Sequence, residues 1–469
     1  MLLSELIDDL EGVLKGARKD PEIKRVIHNS REIEEGDIFC CLKGESTDGH
    51  FYVKDAVTEG AVAILSEEPV AEDVPNFLVK DVRSVLPNLS SRIVENPSKD
   101  LQVVGVTGTN GKTSVVSLLS EILQNNGISS AIIGTLTGAL TTPESPELQR
   151  QLRKFCDNGV EVACMEVSSH SLVQNRVHET FFSTVAFTNL SHDHLDFHHT
   201  MEEYFNAKAL LFSSYFSDRA VIATDQEYGR LYYEKAIDEG MDAEGVSFED
   251  RNVIFDRSES SFDWRGKRIS IPLGGPFISS NALIASEIGL QLGLDISDVI
   301  GGLSAVKGID GRFESFQIAK DIGAIIDYAH TPSALAELLR GCRKIVDGRI
   351  ILVFGCGGDR DLAKRPLMGA VASSGADLNI LTSDNPRTED PEKIISEVID
   401  GMTRQPTFVE VNRSDAVEYA ISEASPGDLV VIAGRGHETH QEIQGEKIPL
   451  SDKDVLLAAV GKLFPTEEQ

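Results

Sequence analysis

About a fifth of the way along the chain, the spacing of hydrophobic residues changes from that of a strand to that of a helix. The run Leu101–Val106 is short, apolar and rich in β-branched residues. Apolar residues recur at helical spacing within Val115–Leu123, and Gly127 then favours the end of a helix. Between the two elements lies Thr107–Thr113, which reads Thr-Gly-Thr-Asn-Gly-Lys-Thr. The pattern predicts a strand, a glycine-containing loop and a helix in succession.

This loop is typical of a phosphate-binding loop. Its glycines allow backbone N–H groups to close around phosphate oxygens, and the start of the helix adds the positive end of a dipole. Lys112 is placed to reach the terminal phosphates, and the hydroxyl of Thr113 is placed to bind magnesium. Because Val106 stands five residues before Gly111, where the common pattern has glycine, the loop is a variant. The chain is expected to bind ATP or GTP, and a glycine-rich turn without a ligand is the less favoured alternative.

Clusters of helix-breaking residues divide the chain into three predicted parts. They lie at Asn96–Asp100 and at Gly308–Arg312. An amphipathic helix is predicted at the N-terminus, with apolar residues on one face from Leu3 to Leu14. The predicted domains are 1–98, 99–312 and 313–469. Strands are predicted at Ile38–Leu42, Ala61–Leu65, Phe77–Val79, Ala131–Gly134, Val160–Val167, Thr184–Asn189 and Ala220–Thr224. Their alternation with helical patterns predicts a mostly parallel sheet in the middle domain.

The last third of the chain repeats one arrangement, an apolar strand that ends in a polar loop. The four loops are 327–332, 355–361, 382–387 and 434–438. Ligands of open α/β sheets bind outside the carboxyl ends of the strands. The charged residues and glycines of these loops therefore predict a second, polar ligand.

Composition excludes several classes of partner. The chain has 469 residues and a net charge of −31, which argues against non-specific binding to nucleic acid or to an anionic membrane. The six cysteines show no CxxC spacing, so we expect buried free thiols in a reducing compartment. No signal peptide and no membrane-spanning segment is predicted, and the cytoplasm is the expected location.

Candidate metal ligands follow two of the middle strands. Glu166 ends a strand-like run and is a candidate to complete a magnesium site with Thr113. The segment Asn189–His199 contains four histidines and two aspartates, but it has no neighbouring cysteine and no regular ligand spacing. Magnesium or substrate binding is therefore favoured over zinc, and surface residues without a role are the alternative for His198 and His199. Taken alone, Lys208 is predicted to extend its amine to water from an apolar helical stretch.

Taken in this order, the motifs resemble those of the Mur ligase family over nearly the whole chain. The resemblance implies an α/β fold of three domains, with a central parallel-sheet ATPase domain built on the phosphate loop and a C-terminal Rossmann-like domain. It implies an ATP-dependent amide ligase that uses ATP, Mg²⁺ and a UDP-muramyl dipeptide. The matching segments are Thr107–Thr113, Glu166–His170, Asn189–Asp196, Asp327–Pro332, Gly355–Pro366, Asp384–Arg387 and Gly434–Glu438.

The resemblance also implies roles for individual residues. Lys112, His194 and Lys208 are the implied catalytic residues. The implied magnesium ligands are Thr113, Glu166, His194 and Lys208, the last as a carbamate. The implied ATP contacts are Gly108, Thr109, Asn110, Gly111, Lys112, Thr113, Asn281, Arg312, Asp327 and His330. The implied contacts to the UDP substrate are Ser30, Thr141, Thr142, Ser168, Gln174 and Arg176. The implied amino-acid pocket contains Arg365, Asp384, Asn385, Pro386, Arg387, Gly434 and Glu438.

Arg387 decides which amino acid we expect the enzyme to add. Meso-diaminopimelate differs from L-lysine by one distal carboxylate, and an arginine makes two parallel hydrogen bonds to such a group. We therefore predict meso-diaminopimelate, with L-lysine as the alternative amino acid. A monomeric enzyme is a separate expectation. A folylpolyglutamate-type ligase is a second alternative, against which the Asp-Asn-Pro-Arg loop and the N-terminal domain argue. A nucleotide-switched binding module is a third, disfavoured by the four polar loops.

Overall fold

The computed structural model describes residues 1–16, 20–44, 47–138 and 140–464. These residues form three α/β units, each built around its own sheet. The predicted three-domain α/β fold is confirmed, whereas the precise domain boundaries stay predictions. Short 3₁₀ helices also occur, at Ser30–Glu32, Gly49–Tyr52 and Pro97–Lys99.

The first unit has a five-stranded sheet in the order β1-β5-β4-β3-β2. Its elements are α1 (Leu3–Leu6), β1 (Val13–Lys15), β2 (Arg25–Ile27), β3 (Asp37–Cys40), α2 (Val53–Glu59), β4 (Ala63–Ser66), β5 (Asn76–Leu78) and α3 (Val82–Arg92). Strands β2 to β5 are parallel, and β1 pairs antiparallel with β5.

The prediction of an N-terminal helix reaching Leu14 was wrong. The helix ends at Leu6, and Leu14 lies in β1 opposite Phe77. A Cβ at Gly12 would lie 2.4 Å from the ring of Phe77, so the glycine lets the chain approach β5 closely. Pairing with the sheet edge therefore overrides the helical spacing of the leucines.

The middle unit has a six-stranded, fully parallel sheet in the order β11-β10-β9-β6-β8-β7. Its first elements are β6 (Gln102–Thr107), α4 (Lys112–Asn125), β7 (Ser130–Ile133), α5 (Ser145–Asp157), β8 (Val162–Glu166), α6 (Ser169–Val173), β9 (Thr184–Phe187), α7 (Leu195–His198) and α8 (Met201–Ala209). They are followed by β10 (Arg219–Ala223), α9 (Glu227–Asp238), β11 (Asp242–Val246), β12 (Ile254–Phe255), β13 (Ser260–Trp264), β14 (Lys267–Ile271), α10 (Ile278–Gln291) and α11 (Ile296–Ser304). The strand, loop and helix predicted around Thr107–Thr113 are confirmed.

The last unit has a six-stranded sheet in the order β15-β16-β20-β17-β18-β19, in which only β15 is antiparallel to its neighbour. Its first elements are β15 (Glu314–Ala319), β16 (Ile322–Asp327), α12 (Pro332–Ile345), β17 (Ile350–Phe354), α13 (Lys364–Gly375), β18 (Leu378–Leu381) and α14 (Pro391–Ile399). They are followed by β19 (Phe408–Val409), α15 (Arg413–Glu423), β20 (Leu429–Ala433), β21 (His440–Ile443), β22 (Glu446–Pro449) and α16 (Asp452–Leu463).

The cysteines agree with the prediction of buried free thiols. All six are free, five of them are buried, and Cys156 is half-buried. Of the helices in the described ranges, none combines the length and apolar character needed to cross a membrane.

Candidate active site

A cavity of about 490 Å³ lies where the carboxyl ends of strands from the middle and last sheets face each other. Its wall includes the phosphate loop, the end of β8 and the loops that follow β9, β16, β17, β18 and β20. Two contacts join the units beside it, one of 3.0 Å between His192 Nε2 and Asp361 Oδ2 and one of 2.8 Å between Ser333 Oγ and Ser191 Oγ. Such a volume is typical of small-molecule sites. The four polar loops predicted from the sequence therefore meet the phosphate loop at one cavity.

The phosphate loop needs its two glycines for close approach to neighbouring chains. Gly108 has φ +148° and Gly111 has φ +88°. A Cβ on Gly108 would lie 1.9 Å from Thr188 Oγ1, and one on Gly111 would lie 2.5 Å from Asn281 Oδ1. Asn281, for which the resemblance predicts an ATP contact, therefore lies against the end of the loop, where α4 begins.

Two lysines converge on a single carbonyl of this loop. Lys112 Nζ donates to Gly108 O at 2.9 Å, and Lys208 Nζ donates to the same oxygen at 3.0 Å. Lys208 is 1% exposed, so the prediction that its amine reaches water was wrong. Burial, followed by the charge of Lys112, holds the pKa of Lys208 well below its usual value.

Glu166 is buried at the carboxyl end of β8 and joins the phosphate loop. Thr113 Oγ1 donates to Glu166 Oε1 at 3.0 Å, and the backbone N–H of Thr135 donates to the same oxygen at 2.9 Å. Arg312, the last residue of the second breaker cluster, donates to Thr113 Oγ1 at 3.0 Å. One carboxylate and one hydroxyl beside a phosphate loop fit Mg²⁺, which keeps several waters and few protein ligands. Within the described ranges, no three His, Cys, Asp or Glu side chains form a metal-binding group.

The histidine-rich segment contributes side chains of different character. His194 begins α7 with φ +54° and lines the cavity 3.4 Å from Asp193. Burial lowers the pKa of His194, which keeps its imidazole neutral, the form that binds metals. His198 is buried, and its Nε2 lies 2.8 Å from Ser169 Oγ, so the surface alternative was wrong for this residue. His199 is exposed, in agreement with that alternative.

The loop after β16 lies beside Arg312. The guanidinium of Arg312 lies 4.3 Å from the ring centre of Tyr328, a cation–π contact that sequence reasoning missed. Asp327 accepts backbone hydrogen bonds from Phe313 at 2.7 Å and from Ala329 at 2.8 Å, and burial raises its pKa. These bonds fix the carboxylate of Asp327, a predicted ATP contact, at the end of β16 in the cavity wall.

The loops after β18 and β20 are hydrogen-bonded to each other. Asn385 Nδ2 donates to Glu438 Oε2 at 2.8 Å, and burial followed by the charge of Asp384 raises the pKa of Glu438. Arg387 Nη1 donates to Gly358 O at 2.6 Å. Residues of these loops that line the cavity are Asp384, Asn385, Arg387, Gly434 and Glu438. Pro386 is not among them, although both of its neighbours are.

Arg365 is not brought to the cavity. Its side chain is fully buried and bonds to Glu389 at 2.7 Å and to Glu397 at 2.6 Å. A basic side chain that does line the cavity is Arg360, in the loop just before the helix of Arg365, and sequence reasoning missed it. Its position between Asp359 and Asp361 was the available signal, because a loop of alternating charges ends near solvent.

The predicted contacts to the UDP substrate form a hydrogen-bonded group beside Glu166. Thr142 Oγ1 donates to Glu166 O at 2.9 Å and accepts from the backbone of Ser168 at 3.0 Å. Arg176 donates to Thr142 O at 3.0 Å and to Gln174 Oε1 at 2.6 Å. Thr141 lines the cavity. Ser30 stands apart, in a 3₁₀ helix of the first unit.

Three family models match the chain. They describe the Mur ligase middle domain at residues 106–289, the glutamate ligase domain of Mur ligases at 311–436 and the catalytic domain of the Mur ligase family at 22–95. A relative from Clostridioides difficile (strain 630), named UDP-N-acetylmuramoyl-L-alanyl-D-glutamate--2,6-diaminopimelate ligase, is 40% identical over 99% of this chain and 100% of its own length. A relative of the same name from Aquifex aeolicus is 39% identical over 98% of this chain and 96% of its own length.

Solved structures agree with this assignment. A structure named UDP-N-acetylmuramoyl-L-alanyl-D-glutamate--2,6-diaminopimelate ligase has a TM-score of 0.68 and 30% identity, and it covers 98% of this chain and 99% of its own. The MurF ligase of Thermotoga maritima in complex with ADP has a TM-score of 0.68 and 19% identity, and it covers 94% of this chain and 97% of its own. Because its identity is only 19%, the similarity to the MurF structure shows the fold alone. The chain belongs to the Mur ligase family, and it is an enzyme of the ligase class.

Proposed function

We propose that this enzyme joins meso-diaminopimelate to the D-glutamate carboxylate of UDP-N-acetylmuramoyl-L-alanyl-D-glutamate, at the expense of ATP, in the synthesis of a peptidoglycan precursor. One observation carries the proposal: the phosphate loop with Glu166 faces the same cavity as the loops that carry Arg387 and Glu438. The names of full-length relatives support the same reaction. L-lysine is the alternative amino acid.

The chemistry needs the groups that the cavity collects. A carboxylate is a poor electrophile, so transfer of the γ-phosphoryl group of ATP first makes an acyl phosphate. The amine of the incoming amino acid then attacks, and an amide and phosphate are formed. Negative charge develops on phosphoryl oxygens in both steps, and Lys112, Arg312 and the start of α4 stabilise it. Contacts between the middle and last units hold the reactants together.

Magnesium fits between the phosphate loop and β8. Thr113 and Glu166 are proposed as ligands, as are His194, which lines the same cavity, and Lys208, whose amine contacts the phosphate loop at Gly108 O. The ion would neutralise charge on the phosphates of ATP. These residues fit this role because their oxygen and imidazole donors adjoin the phosphate loop or line the same cavity.

Carbamylation of Lys208 is proposed from its position. Two lysine ammonium groups on one carbonyl repel each other, and burial favours the neutral amine of Lys208. A neutral amine adds CO₂, forms an N–C bond and releases one proton, which leaves a carboxylate. The modification would replace the repulsion with attraction to Lys112 and supply an oxygen ligand.

We expect Lys208→Ala to lower kcat about 10²-fold, because the site then loses a charged group that acts on the transition state. Small carboxylic acids should restore part of the activity by occupying the space left. Steady-state turnover with and without acetate measures both effects. Lys235→Ala, which removes a partly exposed lysine from α9, is the matched control. Full activity of Lys208→Ala would remove this lysine from the mechanism.

ADP release tests the proposed function as a whole. We expect release that depends on both UDP-muramyl dipeptide and diaminopimelate. Release that needs a folate and glutamate instead would identify a folylpolyglutamate-type ligase, and nucleotide binding without turnover would identify a binding module. A cytoplasmic location and a monomeric state are also proposed. The six free cysteines support the cytoplasmic location, because free thiols are typical of a reducing compartment.

A further inference from the structure

Lys364 is a buried lysine that has no role in the proposed binding of ATP, magnesium or the amino acid. It is the first residue of α13, is 7% exposed and lines the cavity. Among the described residues, no hydrogen bond or ion pair involves its ammonium group. A buried charge without a partner is costly. Its position in the cavity wall therefore points to an anionic ligand.

The start of helix α13 and the charge of Arg360 add to the positive potential at Lys364. Helix α13 runs for 12 residues and presents the positive end of its dipole at Lys364. Arg360 lines the cavity from the loop just before this helix. Two acids lie nearby: Asp361 is 3.0 Å from His192, and Asp193 is 3.4 Å from His194 and feels the charge of Lys364, but among the described residues neither forms an ion pair with Lys364. An anion in the cavity is thus the partner that this helix end favours.

Lys364 follows a loop that touches both sides of the cavity, because Gly358 O accepts from Arg387 Nη1 at 2.6 Å and Asp361 Oδ2 lies 3.0 Å from His192 Nε2. The charge of Lys364, after burial, lowers the pKa of His330, a predicted ATP contact. The neighbouring Arg365 points away, to Glu389 and Glu397. Arg387 and Glu438 lie in the loops after β18 and β20, where a diamino acid is proposed to bind. Ser191, next to His192, donates its backbone N–H to Thr109 Oγ1 of the phosphate loop at 3.0 Å, so the loop before Lys364 is linked through His192 to the phosphate loop as well.

We propose that Lys364 is a further catalytic residue, which binds the phosphoryl oxygens of the acyl phosphate and of the phosphate that leaves. This inference rests on the proposed ligase function. When the amine nitrogen bonds to the acyl carbon, the bond from that carbon to the phosphoryl oxygen breaks. Its electron pair stays on the phosphate, and the amine proton passes to water. The charge on the leaving phosphate rises, and the ammonium group of Lys364 stabilises it.

Phosphate binding and turnover test this role together. Lys364→Met should reduce kcat about 10²–10³-fold, with the KM values for ATP and diaminopimelate nearly unchanged. Calorimetry with inorganic phosphate and the ADP-bound enzyme should show phosphate affinity at least about tenfold weaker, which corresponds to the loss of one charged hydrogen bond. Lys364→Arg should recover part of both. Lys320→Met, at an exposed lysine of the same unit, should behave as the wild type.

Three results would overturn the inference. Unchanged phosphate affinity in Lys364→Met would do so, as would a rise in the KM for diaminopimelate alone. If Lys364→Met lost turnover together with a lower thermal unfolding midpoint, and Lys364→Arg recovered neither, the residue would be assigned to folding. If the wild type fails to release ADP with diaminopimelate, the proposed function is wrong, whereas the calorimetric difference would still report an anion site at Lys364.

Discussion

Glu166→Gln should reduce kcat about 10³-fold while the protein remains folded. The carboxylate is buried at the end of β8 and accepts hydrogen bonds from Thr113 and Thr135. Glutamine keeps the shape and one oxygen, so both hydrogen bonds can persist. Glutamine removes the negative charge, which magnesium and the ammonium group of Lys112 require. The loss is therefore expected in turnover, measured as ADP release at saturating magnesium.

A second acid near the same strand provides the control. Glu161 is exposed one residue before β8, and Glu161→Gln should leave turnover unchanged. Magnesium dependence separates the explanations, since loss of a ligand should raise the magnesium concentration needed for half-maximal activity. Near-normal turnover of Glu166→Gln at ordinary magnesium would contradict the assignment.

The part of the site that the sequence predicts best is local in the chain. The phosphate loop joins a strand to a helix within a few residues, so periodicity and glycine spacing place Lys112 and Thr113 directly. Glu166 and the loop of Asp384–Arg387 follow apolar strands, and parallel sheets bring such strand ends to one edge. The structure shows that they meet at one cavity, which follows from the way two sheets face each other and was not predicted from the sequence.

The residues that sequence reasoning misjudged depend on contacts distant in the chain. Lys208 is buried because its helix carries it to the carbonyl of Gly108, 100 residues earlier. Spacing within the helix contains no sign of that contact. The antiparallel sheet β12–β14 was missed because its strands are short and partly exposed. For Arg365, the neighbours Glu389 and Glu397 decide the direction of the side chain, and Arg360 faces the cavity instead.

Arg387 is expected to determine which diamino acid the enzyme uses. The backbone of Arg387 has φ +51°, and its N–H donates to Glu442 O at 3.0 Å. The loop is therefore fixed against β21. One guanidinium nitrogen donates to Gly358 O, and Nε lies 3.3 Å from Glu442 Oε2. The side chain is 22% exposed. These contacts hold the arginine in place at the cavity wall, where its remaining N–H groups can bind the distal carboxylate that lysine lacks.

The wild type should therefore prefer meso-diaminopimelate over L-lysine in kcat/KM by up to about 10⁴-fold, because a site built for a polar group rejects the analogue without it. Arg387→Ala should remove most of this preference, mainly by raising the KM for diaminopimelate, and should leave the KM for ATP unchanged. Arg387→Lys keeps the charge but loses the paired donors, so an intermediate preference is expected. Lys393→Ala, at a lysine that is 67% exposed in the same unit, is the control. Comparable kcat/KM values for the two amino acids in the wild type would refute the proposed role of Arg387, since its paired donors would then contribute nothing to the choice of substrate.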